Sequence, residues 1–248
     1  MRVLWQHPPL GLLLSVLIIV FPEPGPARAG AQQNKSKLPV VRWDETRPGC
    51  TFSRRDDGRS YYGVSEGDLG ITLGIDTQEL QLVHHRHVPF FAALLTMRYK
   101  GQAPIDVSVD DISLEFVKHF RVVQTALDPD GLSQKVQSDA DELEHQTARE
   151  VAKHPEKKAA KEDLMRAFLK DTAELQEFLG KNSLRPAQLG PDNREDSGWV
   201  MFSADSKWIS GWKKPEELIL RVPVAGKIFE FPFTLPPKAA EVILRRRQ

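Results

Sequence analysis

Cysteine is almost absent. Cys50 stands alone among 248 residues, so no internal disulfide can form and stability has to come from a packed core. An excess of one charge is missing too. The 34 basic and 34 acidic residues cancel, which removes nucleic acid and anionic bilayers as partners attracted by the field of the whole molecule. After Phe21 no apolar run approaches the roughly 20 residues a spanning helix needs. HExxH, CxxC, GxSxG, SxxK and a phosphate-cradling glycine loop are all lacking, and with them the usual pointers to a catalytic residue or a bound cofactor. No internal repeat is evident.

What is present begins with a leader. Arg2 supplies a short positive region, Leu10 to Phe21 is uncharged and apolar, and Pro22, Pro24, Gly25 and Pro26 break any helix. Ala27-Arg28-Ala29 then offers small residues at the two positions a signal peptidase reads. This is the order of a secretory signal peptide over residues 1–29, which places the mature chain in the periplasm or outside the cell. Residues 30–38 are polar and aperiodic and read as a flexible leader.

Residues 39–237 read as one β-rich domain with a helical insertion. The stretch CTFSRRDDGRSYYGV has two β-prone arms about Asp57-Gly58, a hairpin signal. Leu69 to Asp76 and Glu79 to Val83 alternate with period two, whereas Phe90 to Tyr99 is continuously apolar, as in a strand covered on both faces. Ile112, Leu114 and Phe116 share one face of a strand running on toward Thr125. From about residue 132 to 180 the period changes to that of a helix: Val136, Ala140, Leu143, Thr147 and Val151 form one run, and Leu164, Phe168 and Leu175 another. His154-Pro155 separates the two, and Gly180 sits where a C-terminal cap is expected. Asp128 and Asp130 read as turn residues, and Asp139, Asp141 and Glu142 as acids of a first helical turn. Strands resume at Trp199. Trp199, Met201 and Ser203 face one way and Val200, Phe202 and Ala204 the other, and a hairpin follows about Ala225-Gly226. Residues 238–248 are a basic tail or a short helix. The fold class is therefore mainly β: an antiparallel β-sandwich with an α-helical hairpin inserted between strands.

Candidate sites are few. In His84-His85-Arg86-His87, a strand would put His85 and His87 on one face, but zinc takes three or four ligands, and His119 and His145 would join only if the fold brought them there. His85 and His87 are thus weak metal candidates. The acidic residues after Asp128 fail the register of a calcium loop. Asp205 and Ser206, as strand neighbours, point to opposite faces and cannot act as a base–nucleophile pair. Trp199, Trp208 and Trp212 with Phe202, Phe229, Phe231 and Phe233 concentrate the aromatic side chains. Most of these read as core, with Trp208 and Trp212 the candidates for surface aromatics.

The stretch GWVMFSADSKW followed by ELILRVPVAGKIFEFPFTLP resembles the closing strands of immunoglobulin-like domains in uncharacterised exported bacterial proteins. A Gly-aromatic-x-x-Phe strand (Gly198, Trp199, Phe202) precedes a hairpin ending x-Phe-x-Phe (Phe229, Phe231, Phe233), and FFAALLTMRYKGQAPIDVSVDDISLEF looks like the matching central strands. The resemblance implies an exported immunoglobulin-like sandwich and brings no catalytic residues. The expected function is a non-catalytic interaction or structural module without a cofactor, its partner another envelope protein or a cell-surface polymer. A domain binding carbohydrate or a metal ion is the second reading and a hydrolase the third. Mass spectrometry of the exported form should find a chain starting at Gly30; a mature chain still carrying Leu12 to Phe21 would contradict the leader assignment.

Overall fold

The computed structural model describes residues 38–55, 58–76, 88–119, 122–204 and 215–235. The leader at 1–29, residues 30–37, the strand expected at 79–83, His85 and His87, Asp205 and Ser206, Trp208 and Trp212, and the 238–248 tail lie outside these residues.

The chain forms two sheets and one helical region. Its strands are β1 (Val40–Arg42), β2 (Cys50–Arg54), β3 (Arg59–Glu66), β4 (Leu69–Asp76), β5 (Phe90–Tyr99), β6 (Ile105–Val107), β7 (Ser113–Phe116), β8 (Val122–Thr125), β9 (Ala187–Leu189), β10 (Glu195–Ser203), β11 (Glu216–Val224) and β12 (Lys227–Leu235). Between β8 and β9 lie α1 (Pro129–Lys153), a short 3-10 turn at Pro155–Lys157 and α2 (Lys158–Asn182). One sheet has five strands in the order β10-β5-β4-β3-β2. The other runs β1-β12-β11-β6-β9, with β7 also on β11 and β8 on β7. Pairing is antiparallel except for β1, which lies parallel to β12 with Val40 opposite Ile228. Among the described residues no helix is long and apolar enough to cross a membrane.

Alternation builds the core. Ile71, Leu73 and Ile75 of β4, Phe91, Ala93, Leu95 and Met97 of β5, and Val200 and Phe202 of β10 point inward from the five-stranded sheet. They meet Leu114 and Phe116 of β7, Leu218, Leu220 and Val222 of β11, and Phe229, Phe231 and Phe233 of β12. Phe202, Phe229 and Phe231 are fully buried, as their spacing predicts. Burying each such side chain contributes about 1.5–3 kcal/mol, and the lone Cys50 is half-buried against the same core.

Prolines mark where the ladders stop. On one edge of β11, β7 pairs with Leu218 to Arg221 and β6 pairs at Val224. Pro223 stands in the gap, where a missing N–H breaks nothing. Pro232 lies on β12 beyond Glu230, the last residue that β1 reaches. Charge crosses the outer face of the same sheet. Arg221 binds Glu230 at 2.9 Å and also Glu115, and Arg42 binds Glu230 at 3.1 Å. The four side chains tie β1, β12, β11 and β7 into a neutral ladder. Burial works against the Arg221 charge, but its hydrogen bonds to Glu230 and Glu115 outweigh that and raise its pKa.

The helical hairpin lies on the outer face of the five-stranded sheet. Leu132 and Val136 of α1 and Leu179 of α2 join Val88, Phe90, Ala92 and Met201 in a second core, edged by Leu127, Leu175, Phe178 and Trp199. Four details differ from the sequence-based expectations. The segment from Ile112 to Thr125 turns after Phe116 and forms two strands, β7 and β8, paired antiparallel. The hairpin begins at Pro129, capped by Asp128, whose carboxylate accepts from the Asp130 and Gly131 N–H groups. Asp139, Asp141 and Glu142 therefore fall inside α1 and are not first-turn acids. Gly180 lies within α2, which ends at Asn182 with Ser183 in extended conformation. And the Leu164–Phe168–Leu175 stripe is unevenly covered: Leu175 reaches the second core, Phe168 is half-buried and Leu164 is 68% exposed. A helix rises about 1.5 Å per residue, so the hairpin runs on for roughly 25 Å after Val136 without touching that core.

Two substitutions separate the docked and projecting parts. Leu179→Ala should lower unfolding free energy by about 2–5 kcal/mol. Leu164→Ala should change it by no more than about 0.5 kcal/mol. Urea titration of both variants checks this; equal losses would mean that the stripe is buried along its whole length.

Candidate functional site

The half of the five-stranded sheet that the hairpin leaves uncovered is the most organised polar surface. Pairing registers place Thr51, Gly63, Thr72, Thr96 and Ser197 on one rung crossing all five strands. The next rung reads Ser53, Tyr61, Gly74, Leu94 and Trp199. Inward neighbours such as Tyr62, Leu73, Leu95 and Val200 are core residues, so period-two alternation sends these rungs outward. Hydroxyls line the first rung. Those of Thr96 and Ser197 share a hydrogen bond of 2.8 Å, and the Thr51 hydroxyl lies over Gly63, in the space a Cβ would fill. On the second rung the Tyr61 ring covers Gly74, about 3.0 Å from where a Cβ would stand, a ring-over-glycine contact typical of sheets.

Charge and aromatic rings flank the rungs. Arg59 binds Asp76 at 3.0 Å, and its guanidinium sits 5.6 Å from the Trp199 ring centroid. Trp199 in turn meets Phe178 of α2, centroids 6.0 Å apart. The Arg55 guanidinium lies 4.6 Å from the Tyr61 ring centroid. Hydrogen bonding to Asp76 raises the Arg59 pKa. At the other end Arg98 and Glu195 close a 2.9 Å ion pair. The face is rich in hydroxyls, with rings at one side and, among the residues named, one arginine more than the carboxylates. It suits a ligand that both donates and accepts hydrogen bonds.

A second concavity lies at the start of α1. Val88, Pro89, Leu127, Asp128, Gly131, Leu132, Lys135 and Ser203 enclose about 450 Å³. Its walls are mainly apolar. The Asp128 carboxylate is engaged in capping the helix, and Lys135 binds Asp139 at 2.9 Å. The cleft offers little chemistry.

His85, His87, Trp208 and Trp212 lie outside the described residues. The structure does not join His119 and His145: His119 Nε2 meets Glu216 at 3.0 Å on the seven-stranded sheet, and His145 is exposed on α1. Among the described residues no three His, Cys, Asp or Glu side chains are grouped to hold a metal ion. Trp199 is neither core nor fully exposed; it seals the joint between sheet and hairpin. The hydroxyl rung escaped sequence reasoning because alternation shows which residues of one strand share a face, while the partner across the sheet depends on register.

Asp196 of β10 has a raised carboxylate pKa. Burial pushes its pKa up, and the hydrogen bond from the Ser197 N–H only partly offsets this. Its Oδ2 is buried with no hydrogen-bond partner. Comparison of the chain with protein-family models, curated proteins and solved structures finds no match.

A raised carboxylate pKa means that the folded state holds this proton more tightly than the unfolded chain does. The resulting stabilisation is fully present below the unfolded pKa and is lost as pH rises through the folded value. Asp196→Asn should therefore be more stable than the wild type at pH 7, and the difference should shrink as pH falls into the carboxylate range. Thermal melts across that range test it; a variant no more stable at neutral pH would contradict the burial argument.

Proposed function

We propose that the protein is an exported, non-catalytic interaction module: an immunoglobulin-like two-sheet body that holds out a helical arm. The observation that carries this reading is the hairpin itself. Its root is buried against β5 and β10, while its outer half leaves Leu164 and Leu169 exposed at 68% and 37%. A hairpin needed only to cover the sheet would stop where the second core stops. The immunoglobulin-like assignment is supported by two sheets, antiparallel apart from β1, around a shared core and by connections that cross between them from β5 to β6 and from β9 to β10. The leader at residues 1–29 supports export.

A second reading, carbohydrate binding, is favoured by one specific observation, the outward rung of Thr51, Thr72, Thr96 and Ser197 beside Tyr61 and Trp199. Photo-cross-linking in producing cells distinguishes the two. A cross-linker at Arg166, on the arm, should give a discrete protein adduct, and one at Thr72 should give none. No adduct from the arm, together with glycan adducts from Thr72, would replace the first reading by the second.

A further inference from the structure

We infer that the hydroxyl face takes an acidic polysaccharide, a sugar chain whose hydroxyls donate to Thr96 and Ser197 and whose carboxylate binds Arg55. The inference rests on the carbohydrate reading of that face and adds the class of sugar; it does not depend on what the arm contacts.

Proton counting at one end of the rung sets a direction. The Ser197 hydroxyl donates to the Leu95 carbonyl at 3.2 Å, and a hydroxyl has a single proton to give. The 2.8 Å bond between Thr96 and Ser197 is therefore donated by Thr96. Both protons are engaged, and both oxygens can still accept. Over β5 and β10 these two side chains bind donors and offer nothing to an anion. In the middle of the rung Gly63 has no side chain, and two hydroxyls lean over it. The Thr51 oxygen lies in the space a Cβ would fill, and the Thr72 oxygen is 3.8 Å from it. Each can turn its proton to donate or accept as a ligand requires.

The other end carries a cation. Arg55 continues the β2–β3 ladder, its N–H donating to the Arg59 carbonyl at 2.9 Å. Its guanidinium lies over the Tyr61 ring, 4.6 Å from the centroid, and that ring rests on Gly74. Stacking holds the cation above the sheet and leaves its N–H groups at the edge of the plane. The neighbouring arginines are committed: Arg59 to Asp76 and the Tyr61 hydroxyl, and Arg98 to Glu195. Arg55 is exposed and has no carboxylate partner among the described residues. Its fork of donors matches a carboxylate, which it binds through two parallel hydrogen bonds.

The two ends together select the ligand. A neutral sugar leaves Arg55 without a partner. A polymer of carboxylates without hydroxyls leaves Thr96 and Ser197 without donors. A chain of sugar acids meets both demands. Four strand spacings of about 4.8 Å separate β2 from β10, so a ligand reaching both ends is an extended chain of roughly 19 Å and not a single ring.

Isothermal titration calorimetry on the purified chain tests this with three kinds of probe. The acidic sugars are oligomers of galacturonate, mannuronate and glucuronate; the neutral ones are oligomers of dextran and mannan; polyacrylate carries carboxylates without hydroxyls. At least one acidic sugar should bind about tenfold or more tighter than the neutral sugars and than polyacrylate. Arg55→Gln should bring that sugar down to the neutral ones with an unchanged melt. Thr96→Val should weaken the sugars and leave polyacrylate alone. Arg149→Gln, which removes a like charge from α1, should change nothing. Neutral sugars binding as tightly as the acidic ones, or more tightly, overturn the inference and leave the carbohydrate reading standing. If no sugar binds, both fall. Polyacrylate binding as tightly as the acidic sugars, or a preference for acidic sugars that survives Arg55→Gln, also overturns the inference.

Discussion

The free edge of β10 is the feature on which the rest depends. A strand edge exposes carbonyls and N–H groups that must find partners or attract another chain. Here the Trp199 carbonyl accepts from the Leu184 N–H at 2.9 Å, and the Met201 carbonyl accepts from the Leu127 N–H at 2.8 Å. Leu127 immediately precedes the helical hairpin and Leu184 immediately follows it. Both feet of a 25-residue-per-limb insertion are thus fastened to carbonyls two residues apart on one strand. The sheet edge is closed, and the hairpin direction is fixed without a long hydrophobic contact. Gly198 makes the second foot possible: a Cβ there would stand 2.5 Å from Leu184 Cα and 2.8 Å from the Ser183 carbonyl carbon, so any side chain would push the crossing chain away.

From that anchorage the two outer faces acquire different characters. The seven-stranded sheet closes its outer face with a neutral ladder of Arg42, Glu230, Arg221 and Glu115, in which Glu115 and Glu230 are nearly buried. Each carboxylate there depends on an arginine, since a buried ion left unpaired costs several kcal/mol. The five-stranded sheet instead divides its outer face between a dry joint under the hairpin and an open hydroxyl surface, with Trp199 at the boundary. A body built this way holds the root of the hairpin steadily.

The sequence disclosed the elements better than their relations. Strand β5 was legible from Phe90 to Tyr99 because both of its faces are covered, one by the core and one by the hairpin, which leaves a continuous apolar run. The β11–β12 hairpin was legible from its turn, where Ala225 and Gly226 adopt the left-handed backbone. The helical region was legible from its period, but its packing was not: Leu164, Phe168 and Leu175 look equivalent at helical spacing, and only the end of the sheet separates the buried end of that stripe from the exposed one. Short strands were lost for the opposite reason. β9 has three residues and sits in a stretch rich in Pro, Gly, Asn and Asp, so local composition read as loop, while tertiary pairing with β6 makes it a strand. The hydroxyl rung needed four registers at once, and none of them is written in any single strand.

The central claim is that the hairpin is fixed at its root and free along its outer half. Hydrogen exchange followed by mass spectrometry tests it most directly. Peptides covering Leu132 to Val136 and Leu175 to Leu179 should be protected as strongly as β5 and β10, because opening them requires breaking the second core. Peptides from His145 to Met165 should exchange orders of magnitude faster. Protection that is uniform along the hairpin, or a root that opens before the sheet, would contradict the account.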